Sequence, residues 1–151
     1  MNPTRILLVE DNPRDVRLVE IALSEADGFE HKLEVARSLT EGIARGKKGG
    51  LDLVLLDLGL PESLGTPTLV KFLQAVPDLP VVVLTGMSDE DIAIEAARMG
   101  AQDYLVKGHM RGDLLRRVFR YAVERHRTLL ELRRALKAMA AETHVKGTQG
   151  R

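Results

Sequence analysis

The hydrophobic pattern of this chain changes period several times. Ile6 to Val9, Leu53 to Leu56 and Pro80 to Leu84 are runs in which every position is apolar. Each is too short for a helix of its own and has the signature of a strand buried on both faces. Two weaker stretches, His31 to Ala36 and Tyr104 to Val106, complete a set of five predicted strands. Between them the apolar positions fall at helical spacing. Val16, Val19, Ile21, Ala22 and Leu23 form one stripe, and Leu69, Val70, Phe72, Leu73 and Val76 another. Ile92, Ile94, Ala96, Ala97 and Met99 form a third.

Punctuation residues fit these boundaries. Asn12-Pro13 reads as an N-cap followed by a first helical proline, and Thr66-Pro67 repeats that start. Ser38-Leu39-Thr40-Glu41 has capping-box spacing, and the short helix it opens fades in Gly46 to Gly50. Ser88 is placed to cap the next helix, with Gly100 closing it, and Asp27-Gly28 closes the first. From about Arg111 to Glu142 the chain is rich in Leu, Arg, Ala and Glu and contains no proline, which predicts a long last helix. Strands alternating with helices, and apolar on both faces, give an α/β fold. The expected architecture is a flavodoxin-like, doubly wound, five-stranded parallel sheet of order 2-1-3-4-5. The expected divisions are a domain over 1–125, a helical extension over 126–143 and a disordered tail over 144–151.

Composition narrows the function classes. Lys plus Arg number 22 and Asp plus Glu number 22, so the net charge is zero. No global charge favours direct contact with nucleic acid or an anionic membrane surface. There is no cysteine, so neither a disulfide framework nor thiolate chemistry is available, as suits a reducing cytoplasm. The chain enters a strand-like run within a few residues, so no signal peptide is expected. No apolar run approaches the roughly 20 residues that span a bilayer. Aromatic residues are 3% of the chain, too few for base stacking to be the main activity.

The candidate chemistry lies where the strands should end. Asp57 follows the central apolar run, and Pro61 and Gly65 then turn the chain into a loop. In the proposed order Glu10 and Asp11, Asp57, Thr85 and Lys107 would converge on one mouth of the sheet. Clustered carboxylates repel one another unless a proton or a cation intervenes. Oxygen ligands with open positions suit Mg²⁺, or Mn²⁺ in its place. An ammonium and a hydroxyl can hold added negative charge. The set suits phosphoryl transfer onto a carboxylate nucleophile. Taken singly, each residue has a plainer reading: a loop aspartate, acids at the positive end of a helix, a turn threonine, a solvated lysine.

These residues resemble the receiver domain of two-component response regulators, over roughly residues 4 to 125. Glu10-Asp11 looks like that family's acidic pair, and Asp57 with Pro61 and Gly65 like its phospho-accepting aspartate and loop. Thr85-Gly86 looks like the switch hydroxyl and its small neighbour. Tyr104 and Lys107 look like the aromatic switch residue and the lysine. The resemblance implies that Asp57 takes a phosphoryl group from a sensor histidine kinase or phosphotransfer protein. Glu10, Asp11, Asp57 and the backbone of Gly59 would hold the metal. Thr85, Gly86, Tyr104 and Lys107 would read the phosphate, remodelling the face of the fourth helix, fifth strand and fifth helix. It implies a cytoplasmic switch rather than an enzyme. Gly108 stands where the family usually has proline, so the loop there should be freer. Gly59 and Met87 occupy positions that tune hydrolysis in the family.

Two alternatives belong to other classes: an enzyme on a similar fold, either a nucleotide-binding protein or a phosphatase using an aspartyl intermediate, and a structural dimerisation module. A nucleotide-binding protein would want a glycine fingerprint after the first strand, where this chain has Glu-Asp-Asn-Pro. An aspartyl phosphatase of the commoner kind would want an acid where Gly59 stands. A structural dimerisation module would need neither the acidic set nor Lys107.

The last helix is longer than a receiver requires. With Leu115 at an a position, Ala122, Leu129 and Leu136 follow at a, and Val118, Arg125, Leu132 and Met139 at d. This seam, broken at Arg125, is expected to form a homodimeric coiled coil. Its part beyond Arg125 would project about 25 Å, toward an output domain if a longer protein follows. Leu114, Val118 and Phe119 should pack on the sheet. His126 on that helix is expected to be solvated, and His31, His109 and His144 lack metal-ligand spacing.

Overall fold

The computed structural model describes residues 2–86 and 90–149. Five parallel strands form its main sheet: β1 (Thr4–Val9), β2 (His31–Ala36), β3 (Leu53–Asp57), β4 (Val81–Thr85) and β5 (Asp103–Val106). Their order is β2-β1-β3-β4-β5, as the alternation of strands and helices predicted. The helices are α1 (Pro13–Ser24), α2 (Leu39–Lys47), α3 (Thr66–Ala75), α4 (Glu90–Met99) and α5 (Gly112–Gln149). A two-residue antiparallel ribbon, Gly59–Leu60 with Ser63–Leu64, shapes the loop after β3. The sequence shows only a turn there.

The continuous apolar runs are explained by a core on each side of the sheet. Ile6, Leu8, Leu53, Leu55, Val82 and Leu84 face α1 and α5, where they meet Val19, Leu23, Leu115 and Phe119. Their alternate neighbours, Leu7, Val9, Val54, Leu56, Val81 and Val83, face the other helices and meet Leu39, Leu69, Phe72 and Ala96. A strand projects side chains to both faces, so both sets must be apolar. Each fully buried aliphatic side chain contributes about 1.5–3 kcal/mol. The central strands therefore form a rigid base for whatever sits at their ends.

Several expected boundaries hold and others shift. Asn12 caps α1, its side chain accepting from the Arg14 N–H at 2.9 Å. Ser38 caps α2 by accepting from Glu41 N–H at 3.1 Å. Thr66 is not a cap. Gly65 takes that position with φ 72°, a left-handed conformation that favours glycine, and Thr66 is the first helical residue. α1 ends at Ser24, before Asp27-Gly28, which instead forms the turn into β2. Gly100 follows α4 with φ 122°. Ser88 and Met87 lie outside the described residues.

α5 is fastened to the domain along nearly half its length. Leu115, Val118, Phe119 and Ala122 are buried, and Leu114 packs at the edge of the same core. Arg116 and Arg120 donate to the carbonyls of Asp27 and Gly28, both at 2.9 Å. Arg125 donates to the Gln102 carbonyl at 3.0 Å. His126 departs from expectation: it is 7% exposed, and its Nε2 donates to the Asp78 carbonyl at 2.8 Å. Its place among Arg and Glu in sequence concealed that it faces the loop before β4. The a and d positions before Leu129 are consequently committed to the domain itself. Residues 131–143 are all exposed, and the helical backbone runs to Gln149, past the point where a tail was expected.

The entry of α5 is set by a close backbone approach. A Cβ on Gly112 would lie 2.5 Å from the carbonyl carbon of Glu25 and 2.6 Å from Ala26 N. Backbone atoms there cannot step aside as a flexible side chain could. Gly112→Ala is expected to destabilise the domain by about 1–3 kcal/mol, measured by urea denaturation. An unchanged midpoint would show that α5 tolerates displacement from α1.

Candidate functional site

The register of the sheet brings the polar strand ends to one level. Val9 pairs with Leu56, Asp57 with Leu84, and Thr85 with Val106. Glu10 and Lys107, each one residue beyond its strand, therefore close over Asp57 from two sides. Glu10 is 0% exposed and Asp57 2% exposed. Asp11 is half-buried beside them. Glu10, Asp11 and Asp57 each offer a carboxylate oxygen, and these oxygens lie within 4.8 Å of one another.

Local structure holds each acid in place. Glu10 N–H continues the β1–β2 ladder by donating to Ala36 O at 2.9 Å. Its Oε1 accepts from Asn12 N–H at 3.1 Å. Asp57 Oδ1 accepts from Gly59 N–H at 2.9 Å, so the first turn after β3 folds onto the carboxylate. The loop is closed by Gly65 N–H donating to Leu58 O at 2.7 Å and by a buried Thr68–Ser63 hydroxyl pair at 2.7 Å. Glu62 accepts from Leu39 N–H, joining this loop to the start of α2. Gly59 is exposed at the mouth, and a Cβ there would meet Asp57 Oδ1 at 3.5 Å.

Lys107 supplies the positive charge. Its Nζ lies 3.2 Å from Asp57 Oδ2 and 3.3 Å from Glu10 Oε2. The approach to Asp57 is a hydrogen bond. The approach to Glu10 is an ion pair without one, and Glu10 Oε2 is buried with no hydrogen-bond partner among the described residues. Such an oxygen is costly to bury as an anion. Burial, reinforced by the adjacent Asp57 carboxylate, pushes the Glu10 carboxyl from 4.5 up to about 8, although Asn12 N–H and Lys107 pull the other way. Burial also works against the charge on Lys107, but Asp15, Asp57 and Glu10 outweigh it and hold its pKa above the ordinary lysine value.

Thr85 and Tyr104 frame the other side. Thr85 is buried, and its hydroxyl points to Leu105 O at 3.5 Å, a long contact easily exchanged for a better acceptor. Gly86 follows it, half-buried. Tyr104 is half-buried and packs against the core beneath α4. Lys107 to His109 form a single 3₁₀ turn with Gly108 exposed, and no described peptide bond is cis.

The strand-end residues expected to converge do so: Glu10, Asp11, Asp57 and Lys107 meet directly, with Thr85 alongside. One participant was missed. Asp15, in the first turn of α1, approaches Lys107 Nζ at 2.7 Å, closer than either buried acid. Its signal in the sequence is position. It lies one helical turn after Asp11, and helical side chains lean toward the helix N-terminus, here toward the strand ends.

The family model for the response regulator receiver domain matches residues 6–119. The KDP operon transcriptional regulatory protein KdpE of Escherichia coli (strain K12) is 37% identical over 123 residues, which are 82% of this chain and 52% of that protein. The chain spans about half the length of curated relatives it matches, such as this one and the cell cycle transcriptional regulator CtrA of Caulobacter vibrioides. Among solved structures, a response regulator receiver domain protein from Clostridium thermocellum superposes with TM-score 0.69 at 30% identity, covering 83% of this chain and 98% of that one. NtrX from Brucella abortus superposes with TM-score 0.73 at 28% identity, covering 89% of this chain and 30% of that one. With the parallel sheet, the acidic mouth and Lys107 in place, the chain belongs to the response regulator receiver domain family.

Proposed function

We propose that this domain is a phospho-accepting switch and that Asp57 is the acceptor. The observation that carries the reading is the burial of Asp57 at the end of β3, within 4.8 Å of two further carboxylates and 3.2 Å from Lys107 Nζ. The donor is the phosphohistidine of a sensor histidine kinase or phosphotransfer protein, as for the family. An Asp57 carboxylate oxygen attacks phosphorus, the P–N bond breaks, and the imidazole nitrogen leaves with the bonding pair. Asp57 becomes an acyl phosphate, later hydrolysed by water. The domain is then a switch with self-directed chemistry rather than an enzyme acting on other molecules.

The donor set fits Mg²⁺, or Mn²⁺. Three hard oxygen donors converge, and Glu10 Oε2 is buried without a hydrogen bond among the described residues. Glu10, Asp11, Asp57 and the Gly59 carbonyl would hold the ion. When bound it supplies charge neutralisation for the carboxylates and for the phosphoryl oxygens. Lys107 would hold those oxygens, and the Thr85 hydroxyl would leave Leu105 O to donate to them. Movement of Thr85 makes room for Tyr104 to turn inward, which remodels the face of α4, β5 and α5. Phosphate biases this equilibrium because it binds one state better. Ile94 and Met99 on α4 and Tyr121 on α5 are exposed, supplying apolar contacts on that face.

The extension of α5 supports a homodimer through its distal half. Leu132, Leu136 and Met139 are 55%, 56% and 62% exposed and keep a/d spacing with the half-buried Leu129. The earlier a and d positions are occupied within the domain, so the seam begins at Leu129.

Incubation of the full chain with Mg²⁺ and acetyl phosphate is expected to add one labile phosphoryl group, seen by intact mass. Asp57→Asn should remain unmodified, and equal labelling of that variant would sink the assignment. The raised Glu10 carboxyl has a second consequence. An acid whose pKa rises on folding binds its proton more tightly in the native state, so stability falls as pH rises from about 4.5 toward about 8. With divalent ions chelated, the Tm of wild type should drop from about pH 5.5 to about pH 8.5 more than that of Glu10→Gln. Mg²⁺ should restore more of it at the higher pH. Parallel melting curves for the two proteins would contradict this. Replacing Leu132 and Leu136 together with Glu should weaken self-association by at least about tenfold in sedimentation equilibrium. Identical association would remove the seam as the interface.

A further inference from the structure

Lys107 is surrounded by more acids than an acceptor pocket requires. Its ammonium has three donors, and three carboxylates lie around it. Asp57 and Glu10 are nearly or fully buried, with 3% and 0% of their side chains exposed. Asp15 has 17% of its side chain exposed and makes the shortest contact, 2.7 Å. Asp15 is not one of the three acids whose oxygens cluster within 4.8 Å, so it belongs to the lysine rather than to the cation position. α1 holds it rigidly, since Asn12 caps that helix and Pro13 begins it.

We propose that Asp15 is a positioning residue that holds Lys107 in the resting state and competes for it with an anion arriving on Asp57. The proposal rests on the phosphoacceptor reading above. A phosphoryl group brings several new acceptors, and the ammonium already gives two of its three donors to Asp15 and Asp57, so it cannot serve more than one of the new acceptors without releasing one of those carboxylates. The partner released at lowest cost is the one with access to water. Withdrawing Lys107 from Asp57 would leave a buried anion with less compensation. Withdrawing it from Asp15 leaves a carboxylate at the edge of solvent. Asp15 therefore sets how far the resting pocket resists the phosphorylated state.

The test is titration of the full chain with beryllofluoride, a phosphoryl mimic, in the presence of Mg²⁺, followed by ¹⁹F NMR. Asp15→Asn keeps the shape but loses the charge, and is expected to bind beryllofluoride about two- to fivefold more tightly than wild type. Asp15→Glu restores a carboxylate and should return toward the wild-type affinity. Glu62→Gln removes one negative charge from the neighbouring loop, where Glu62 accepts from Leu39 N–H and does not touch Lys107. Its affinity should stay at the wild-type value. Asp15→Ser, with a side chain suited to a first helical turn, serves if Asp15→Asn does not fold. Unchanged or weaker binding by the neutral Asp15 variants overturns the proposal. So does equal tightening by Glu62→Gln, which would make the effect one of general charge. Absence of binding by wild type itself would instead remove the phosphoacceptor reading, and the role of Asp15 with it.

Discussion

One ammonium shared among three carboxylates at the end of a buried sheet is the constraint on which the site depends. Glu10 and Asp57 sit where water cannot solvate them, and charges so placed destabilise a fold unless others compensate them. Lys107 compensates in part. It reaches Asp57 with a hydrogen bond and Glu10 with proximity alone, leaving one Glu10 oxygen without a donor among the described residues. The pocket is thus held in electrostatic tension with an excess of negative charge. On the proposed function, that excess is what a cation would offset, and with the cation in place added phosphate would be tolerated. On the same proposal, this tension would let the site switch, since whatever changes its charge also changes which partners Lys107 and Thr85 keep.

The rest of the architecture delivers these groups and holds them still. Parallel strands place all their carboxyl ends on one side, and the 2-1-3-4-5 order sets Glu10, Asp57 and Thr85 on adjacent strands. Two apolar cores clamp those strands from either face. The half of α5 nearest the sheet covers one core, while its arginines and His126 occupy carbonyls at the turns around it. Because Arg125 also faces Asp103 at 3.8 Å, α5 is tied to the strand that leads to Lys107. A change at the acidic mouth and the root of the projecting helix therefore share one element, β5.

The fold and most of the site were legible in the sequence for a physical reason. Strands buried on both faces leave unbroken apolar runs, so a carboxylate placed directly after one is conspicuous. Glu10 and Asp57 could be found this way, and Lys107, after a weaker strand, by the register that the fold implies. What the sequence concealed depends on tertiary distance. Asp15 looks like an ordinary acid near a helix start, and only the three-dimensional path of Lys107 brings it into the cluster. His126 looks solvated among charged neighbours until the loop before β4 is seen beneath it. The seam on α5 was expected to start at Leu115 because heptad spacing does not distinguish packing on one's own domain from packing on a second chain. Thr66 resembled a cap because it precedes a proline, whereas the left-handed backbone of Gly65 starts that helix.

The most direct measurement of the central claim is site-resolved. After brief exposure to Mg²⁺ and a small phosphodonor, borohydride reduction converts an acyl phosphate on aspartate to homoserine, which survives digestion and is located by peptide mass spectrometry. Homoserine at position 57 alone, dependent on Mg²⁺ and lost when Lys107 is replaced by Ala, is the result this account predicts. Reduction at Asp11 or Asp15 instead, or no reduced residue in the peptide containing Asp57, would contradict it.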